Sequence, residues 1–468
     1  MTTTASSPAP PQDERLDPAL LKLGVVLVLG TILAVLDATI VNVGVEAIRR
    51  DFDSPLATVQ WISTGYLLAF ALVAPISGWA TNRFGAKRTW MASVACFVIG
   101  SALCGLAWSA GSLIVFRVLQ GIGGGLIQPI GQAMLAQAAG PKRLGRVMSL
   151  LIIPLTFAPA LGPVIGGVLI GVFSWPWIFY INVPLGIITL LLARRVLPSS
   201  KPEGGLKLDV RGLLLVSPGL AAMLYGFSET ANGGFASLRA HGPIAVGALL
   251  LAVYVWHALR KDTPVLDLRL FANRAFTNAV LTSFLVGAAL FSSMFLLPLY
   301  YQQVRAQDAL HAGLLLVPQD IGIAIAVFFA GRLTGRLGLK PVLLVGIGLS
   351  MIGTLAYTQV GSDPNELLLG AGLFVRGLGL GAAMSPVMTA VFQSVKPPQM
   401  PQAAGVTNVL HRIGGSLGTA VLVVVLQHEL VSSAPSSAFG TSFWWAFGFS
   451  ALTLLPALAL PGRPAKQG

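Results

Sequence analysis

The chain alternates long apolar blocks with short polar breaks. Read from break to break, the blocks fall at 20–44, 57–79, 89–108, 111–137, 145–171, 176–197, 210–228, 242–259, 275–300, 311–331, 339–359, 365–392, 402–427 and 440–460. Each is close to the roughly 20 residues an α-helix needs to cross a bilayer. None has the short alternating pattern of a membrane barrel strand. The pattern predicts an all-α polytopic membrane protein with fourteen membrane-spanning helices. Composition agrees: the chain is 55% hydrophobic and 10% charged, whereas a soluble domain is about a quarter charged. The first 19 residues are polar, carry Asp13, Glu14 and Asp17, and lack the basic start and cleavage site of a removable signal. Cys96 and Cys104 share one apolar block and read as packing residues, too far apart along a helix to bridge.

A net charge of +13 could point to nucleic acid, but its distribution does not. Assigning Lys and Arg to alternate sides of the spans puts most on one side, including Arg83, Lys87, Arg88, Arg143, Arg194, Arg195, Arg336, Lys340 and Lys396. Only Arg49, Arg50, Arg239 and Arg305 fall on the other. This is the positive-inside pattern, so both termini are expected in the cytoplasm, with the protein in the cell membrane as a monomer and no nucleic-acid partner. The break after the second span, GWATNRFGAKR (78–88), repeats in step as GRLTGRLGLKP (331–341), and RVLQGIGGG from Arg117 is answered by RGLGLGAAM from Arg376. Two related six-helix halves follow, 20–197 and 275–460. An inserted helix pair at 210–260, linkers at 198–209 and 261–274, and tails at 1–19 and 461–468 complete the plan. Parallel halves are a transporter architecture with the substrate site between them.

A few charges remain inside the spans, and each is a functional candidate because a lone charge there costs several kcal/mol. Asp37 lies in LAVLDATIVNV, roughly 24 Å up its helix at 1.5 Å per residue. Arg117 lies at roughly 21 Å on the same count, so the two can meet. Such a pair suits proton coupling; the plain alternative is a fixed pair that locks two helices. Asp320, two residues after Pro318 and about 12 Å below the outer surface, is expected to face either the central cavity or a partner such as Arg376 or Arg412. Those two arginines, and Glu46 near the end of its span, complete the candidates for a proton or substrate site. His411 reads as a packed hydrogen-bonding residue. Small residues in GIGGG (121–125) and GLGLG (377–381) let helices approach closely. No phosphate-binding GxxxxGK[ST] motif occurs, which argues against ATP-driven transport. No metal-ligand spacing or nucleophile–base pattern points to an enzyme. Trp175 and Trp177 fit an outer aromatic belt.

Taken together, LDATIVNV (36–43), GWATNRFGAKR, LIVFRVLQGIGGG (113–125), ALGPVIGG (160–167), WPWIFYINVPLG (175–186) and VLDLRLFANRAF (265–276) resemble the major facilitator superfamily, in its fourteen-span drug:proton antiporter branch. The resemblance implies proton coupling by Asp37 and Arg117, and a conformational switch at Gly162, Pro163, Gly166 and Gly167. It also implies a cytoplasmic gate loop containing Gly78, Asn82, Arg83, Gly85, Lys87 and Arg88. Asn82 stands where the family usually has Asp, Glu46 where an apolar residue is expected, and Pro176 where Arg is usual. The expected function is export of amphipathic, often cationic small molecules, driven by the proton gradient and needing no cofactor. Candidate cavity-lining residues are Tyr66, Phe70, Phe291, Met294, Phe295 and Tyr300. The alternatives are an exporter dedicated to one antibiotic or metabolite, a proton-independent facilitator, and a lipid-handling scaffold of the same fold.

Overall fold

The structure, a computed structural model, describes residues 17–199, 208–233, 237–307, 309–359 and 365–461. Most of both expected tails, with Arg15, Arg463 and Lys466, and the linker residues Lys201 and Lys207 lie outside the described residues. All regular structure among the described residues is helical. The first helix, α1 (Pro18–Asp51), starts where the Asp17 side chain accepts from the Ala19 N–H and Pro18 needs no donor of its own. After it, α2 (Leu56–Val73) passes through a short 3-10 turn at Pro75 into α3 (Ser77–Phe84). Gly85, at φ 86°, turns the chain into α4 (Ala86–Gly105). A mutual cap between Ser109 and Ser112 opens α5 (Ala110–Val172), which is two helices joined at Gly140, where φ is 66°. Only glycine adopts that angle readily. The short α6 (Trp177–Tyr180) leads into α7 (Asn182–Val196).

The chain then forms α8 (Val210–Gly233) and α9 (Leu238–Arg260), followed by α10 (Arg274–Gln303), α11 (Ala309–Leu337), α12 (Leu339–Thr358), α13 (Glu366–Gln393), α14 (Met400–Ser432) and α15 (Pro435–Leu458). Among the described residues, 13 helices are long and apolar enough to cross a membrane. The expected span at 145–171 is not among them. It is the second arm of α5, helical throughout, and the side chains of 150–160 and 163 lie outside the described residues.

Two bundles result. In the first, α1, α2 and α4 pack on α5, with α7 against α1 and α4. In the second, α11 and α12 pack on α13, and α10 packs on α14 and α15. The repeated loop is repeated in shape. Gly85 and Gly338 both turn the chain at positive φ, 86° and 90°. Two residues on, Lys87 donates to the carbonyls of Arg194 and Leu197 at the end of α7, and Lys340 donates to that of Leu458 at the end of α15. The last carbonyls of a helix lack intrahelical donors, so a lysine there is well placed.

The bundles meet at the end that carries these basic loops. Ser77 donates to the carbonyl of Pro401, Gln137 to that of Pro397, Ser385 to that of Gly145, and Asn408 to Gln132 Oε1 at 2.8 Å. Here Gly78 of α3 lies against Gln402 of α14, and Gly331 of α11 lies against Gly145 and Arg146 of α5. Each half thus presses the first glycine of its loop onto the fifth span of the other. Meanwhile α8 packs on both α2 and α14, with Trp61 stacked on Tyr225 at 6.1 Å, while α9 rests on α8 and leaves Leu249 and Trp256 exposed.

Candidate functional site

Asp37 of α1 and Arg117 of α5 are brought together, and neither has any exposed surface. Arg117 Nη1 donates to Asp37 Oδ2 in a close ion pair and to Gln120 Oε1 at 2.6 Å, and its Nε donates to the carbonyl of Ile62. Gln120 sits one turn after Arg117 on the same helix. Its Nε2 donates to Asp37 Oδ1 at 2.8 Å, and Asn182 Nδ2, from α7, donates to the same oxygen at 2.9 Å. Both amides also donate to Ser101 Oγ of α4, which in turn donates a hydrogen bond to the carbonyl of Phe179. One carboxylate is therefore held by donors from two helices besides its own. That is how a buried charge is kept affordable: paired, and with its remaining lone pairs filled. One atom is left over. Asn182 Oδ1 is buried and accepts no hydrogen bond among the described residues.

Gln120, Asn182 and Ser101 were not singled out from the sequence. The signal available was weak. An amide inside an apolar helix carries no charge to flag it, although Gln120 stands at i+3 from Arg117, where the two share a face.

The pair is roofed by α2. The guanidinium of Arg117 lies 4.0 Å from the centre of the Tyr66 ring, and the Tyr66 hydroxyl donates to the carbonyl of Ala34. Tyr66 is buried and is part of this roof rather than a cavity wall. One turn on, Phe70 lies 6.1 Å from Tyr66, and its ring carries the guanidinium of Arg412 from α14 at 4.4 Å. Two consecutive aromatic residues of one face of α2 thus connect Arg117 in the first half with Arg412 in the second. Phe70, Gln128, Leu224, Asn408 and Arg412 line a narrow cleft there.

The other candidates fall elsewhere. Arg376 is buried on α13 and donates to Gln319 Oε1, Thr354 Oγ1 and the carbonyl of Ala289. It occupies in the second half the place Arg117 holds in the first, with no carboxylate partner among the described residues. Asp320 is half-buried and, among the described residues, pairs with neither Arg376 nor Arg412. The expectation of such a partner is corrected: its neighbour Gln319, about 100° round the helix, makes the contact. Glu46 belongs to an exposed cluster with Arg49 and Arg50 at 2.8 Å, not to a buried site. Tyr300 has no exposed surface and packs among Tyr301, Tyr357, Phe439 and Phe443, so it lines no cavity. Phe291 and Met294 are exposed, Phe295 half-buried, and Phe291 meets His411 edge to face. His411 is a packing residue whose Nδ1 meets the carbonyl of Ser283 at 2.8 Å. Trp175 is buried, with its N–H on Asp51 Oδ2, so of the two belt tryptophans only Trp177 is exposed.

Gly162 and Gly166 bring the second arm of α5 onto α1 beside the site. A Cβ at Gly162 would lie 2.1 Å from Thr39 Oγ1, and one at Gly166 would lie 2.9 Å from Ile40 Cγ1. Gly167 faces open space, and the Pro163 side chain lies outside the described residues. In the loop, Gly78, Gly85 and Lys87 have the structural roles given above. Asn82, Arg83 and Arg88 make no hydrogen bond or ion pair among the described residues. The cysteines are free.

Comparison with known proteins gives a consistent result. The chain matches the Major Facilitator Superfamily over residues 27–419. It is 41% identical over 420 residues to the multidrug resistance protein B homolog of Mycobacterium tuberculosis, covering 89% of this chain and 78% of that protein. It is 29% identical to the tetracenomycin C resistance and export protein of Streptomyces glaucescens, covering 86% of this chain and 75% of the other. Among solved structures, the proton:xylose symporter XylE superposes with a TM-score of 0.65 at 14% identity, covering 94% of each chain. At that identity the likeness concerns the fold alone.

Proposed function

The chain belongs to the Major Facilitator Superfamily, and from that premise we propose that it is a proton-coupled exporter of amphipathic small molecules in the cell membrane, of the fourteen-span drug:proton antiporter type. It is a multi-pass transport protein, not an enzyme. The names of the relatives above support export of drugs or antibiotics. The observation that carries proton coupling is the buried Asp37 with its full set of donors, Arg117, Gln120 and Asn182.

The chemistry follows from that donor set. An ionised Asp37 accepts from all three partners and ties α1 to α5 and α7. A proton cancels its charge, weakens its hold on Arg117, and turns one oxygen into a donor that needs an acceptor. Asn182 Oδ1 is an unfilled acceptor on the amide already touching that oxygen, and a half-turn of the amide presents it. Proton and substrate then drive transport if they favour different states of the two halves. With the basic end taken as cytoplasmic, its closure shuts the site from the cytoplasm in this state. Arrival of an outside proton at Asp37 promotes release of substrate, and loss of the proton to the cytoplasm resets the site.

The test uses purified protein in liposomes under an imposed pH gradient, following an amphipathic dye. Wild type is expected to transport with the gradient. Asp37→Asn, which keeps the shape without the titrating charge, is expected to bind dye and lose gradient-driven transport. Equal coupling in Asp37→Asn would reduce the pair to a structural lock.

A further inference from the structure

The two arginines of the second half that lie within the spans, buried Arg376 and half-buried Arg412, are treated differently by the fold. Arg376 has its N–H groups taken up by Gln319, Thr354 and the carbonyl of Ala289. Arg412, close to the middle of α14, has one face laid on the Phe70 ring and no hydrogen-bond acceptor or carboxylate among the described residues. Gln128, from the opposite half and in the same cleft, is likewise without a partner there. A charge held within the membrane without a counter-charge costs several kcal/mol, and the chain shows at Arg376 that neutral acceptors could have been supplied. At Arg412 they are left out. Stacking on an aromatic ring uses the face of a guanidinium and leaves its edge free, and that edge is the fork that takes a carboxylate with two parallel hydrogen bonds. Leu224 of α8 and Phe70 give the cleft apolar walls.

We propose that this cleft is a substrate subsite for an acidic group, a carboxylate or phenolate, carried on an aromatic or otherwise apolar body. Arg412 holds the acid by its free edge, Gln128 donates from the facing half, and Phe70 and Leu224 flank the apolar part. The proposal rests on the transport reading above only in taking the bound compound as cargo. It differs from the expectation of often cationic substrates. Because Phe70 is one turn from Tyr66, which roofs Arg117, the subsite and the proton site share one face of α2.

The test is equilibrium binding to the full-length protein in lipid nanodiscs, with no pH gradient. The probes are 2-naphthoate, its neutral amide 2-naphthamide, and 2-naphthyltrimethylammonium. Wild type is expected to bind the acid about tenfold or more tightly than the amide, and the ammonium most weakly. Arg412→Gln should bring acid and amide within about twofold, and Arg412→Lys should keep part of the preference as a point charge without the fork. Gln128→Ala, a milder change, should weaken the acid more than the ammonium. Equal binding of the three by wild type, preference for the ammonium, no binding of naphthoate, or a preference that survives Arg412→Gln would each overturn the proposal. The wild-type order needs no variant to fold. Loss of proton coupling in liposomes would leave this charge order untouched, so the two readings fail separately.

Discussion

Replacing Gly331 by alanine should push the basic end of the molecule open. A Cβ there would lie 2.7 Å from Arg146 Cα, 2.9 Å from the Gly145 carbonyl oxygen and 2.9 Å from Ser149 Oγ. Non-bonded carbons sit at about 3.5–4.0 Å, so the overlap with Arg146 is about 1 Å. Two of the three obstacles are backbone, and no side-chain rotation clears them; α11 and α5 have to separate. Overpacking of this kind costs about 1–3 kcal/mol. The contact joins the two halves, so the cost falls on the closed end and is absent once that end opens. A bias of that size moves the equilibrium roughly 5–150-fold. Ser385, with no exposed surface and donating to the Gly145 carbonyl, reports the opening. In a background with Cys96 and Cys104 replaced by serine, maleimide labelling of Ser385→Cys should quicken by about tenfold when Gly331→Ala is added. Gly78→Ala should act in the same direction but less, because its Cβ would meet Gln402 Cβ at 3.0 Å and Cα at 3.3 Å. Unchanged labelling in a Gly331→Ala protein that still binds substrate would refute the reasoning.

Asn182→Ala removes a donor to a buried carboxylate, a bond of about 1.5–3 kcal/mol. Thermal unfolding in detergent should show the loss, and gradient-driven transport should fall by more than substrate binding does; equal losses would make Asn182 a structural residue only. Just outside α8, Asp209 accepts from His257 at 3.0 Å, Lys261 at 3.1 Å and the Gly212 N–H. Burial alone would raise its affinity for protons, but the bonds from His257, Gly212 and Lys261 prevail and hold the carboxyl below its ordinary range. A lowered value contributes stability above the ordinary carboxylate range, near pH 4, which is lost as pH falls through the native value. Melting measured from pH 6 downward should therefore fall off less in Asp209→Asn than in wild type, and parallel curves would remove Asp209 from the account.

The sequence exposed what depends on hydropathy and depth. Spans, the repeated loop and the meeting of Asp37 with Arg117 follow from a 1.5 Å rise and a count of residues. What it hid depends on rotation about a helix axis and on neutral polar groups. One residue decides whether Gln319 or Asp320 reaches Arg376. No charge marks Gln120 or Asn182. Glu46, near the end of the first apolar block at residue 44, lies on the last exposed turns of α1, which runs on to Asp51. Trp175 suited the interface by composition, yet Asp51 draws its N–H inward.

Helix α8 carries one more consequence. Two similar halves facing each other would leave two equivalent side doors onto the lipid, one along each flank of the seam. On one flank α8 lies across α2 and α14, its Tyr225 stacked on Trp61 and its Leu224 closing the back of the Arg412 cleft. That door is shuttered. On the other flank α5 and α11 meet with no such cover among the described residues. The molecule therefore has a front and a back in the plane of the bilayer, and a lipid-soluble compound arriving sideways finds the two unlike.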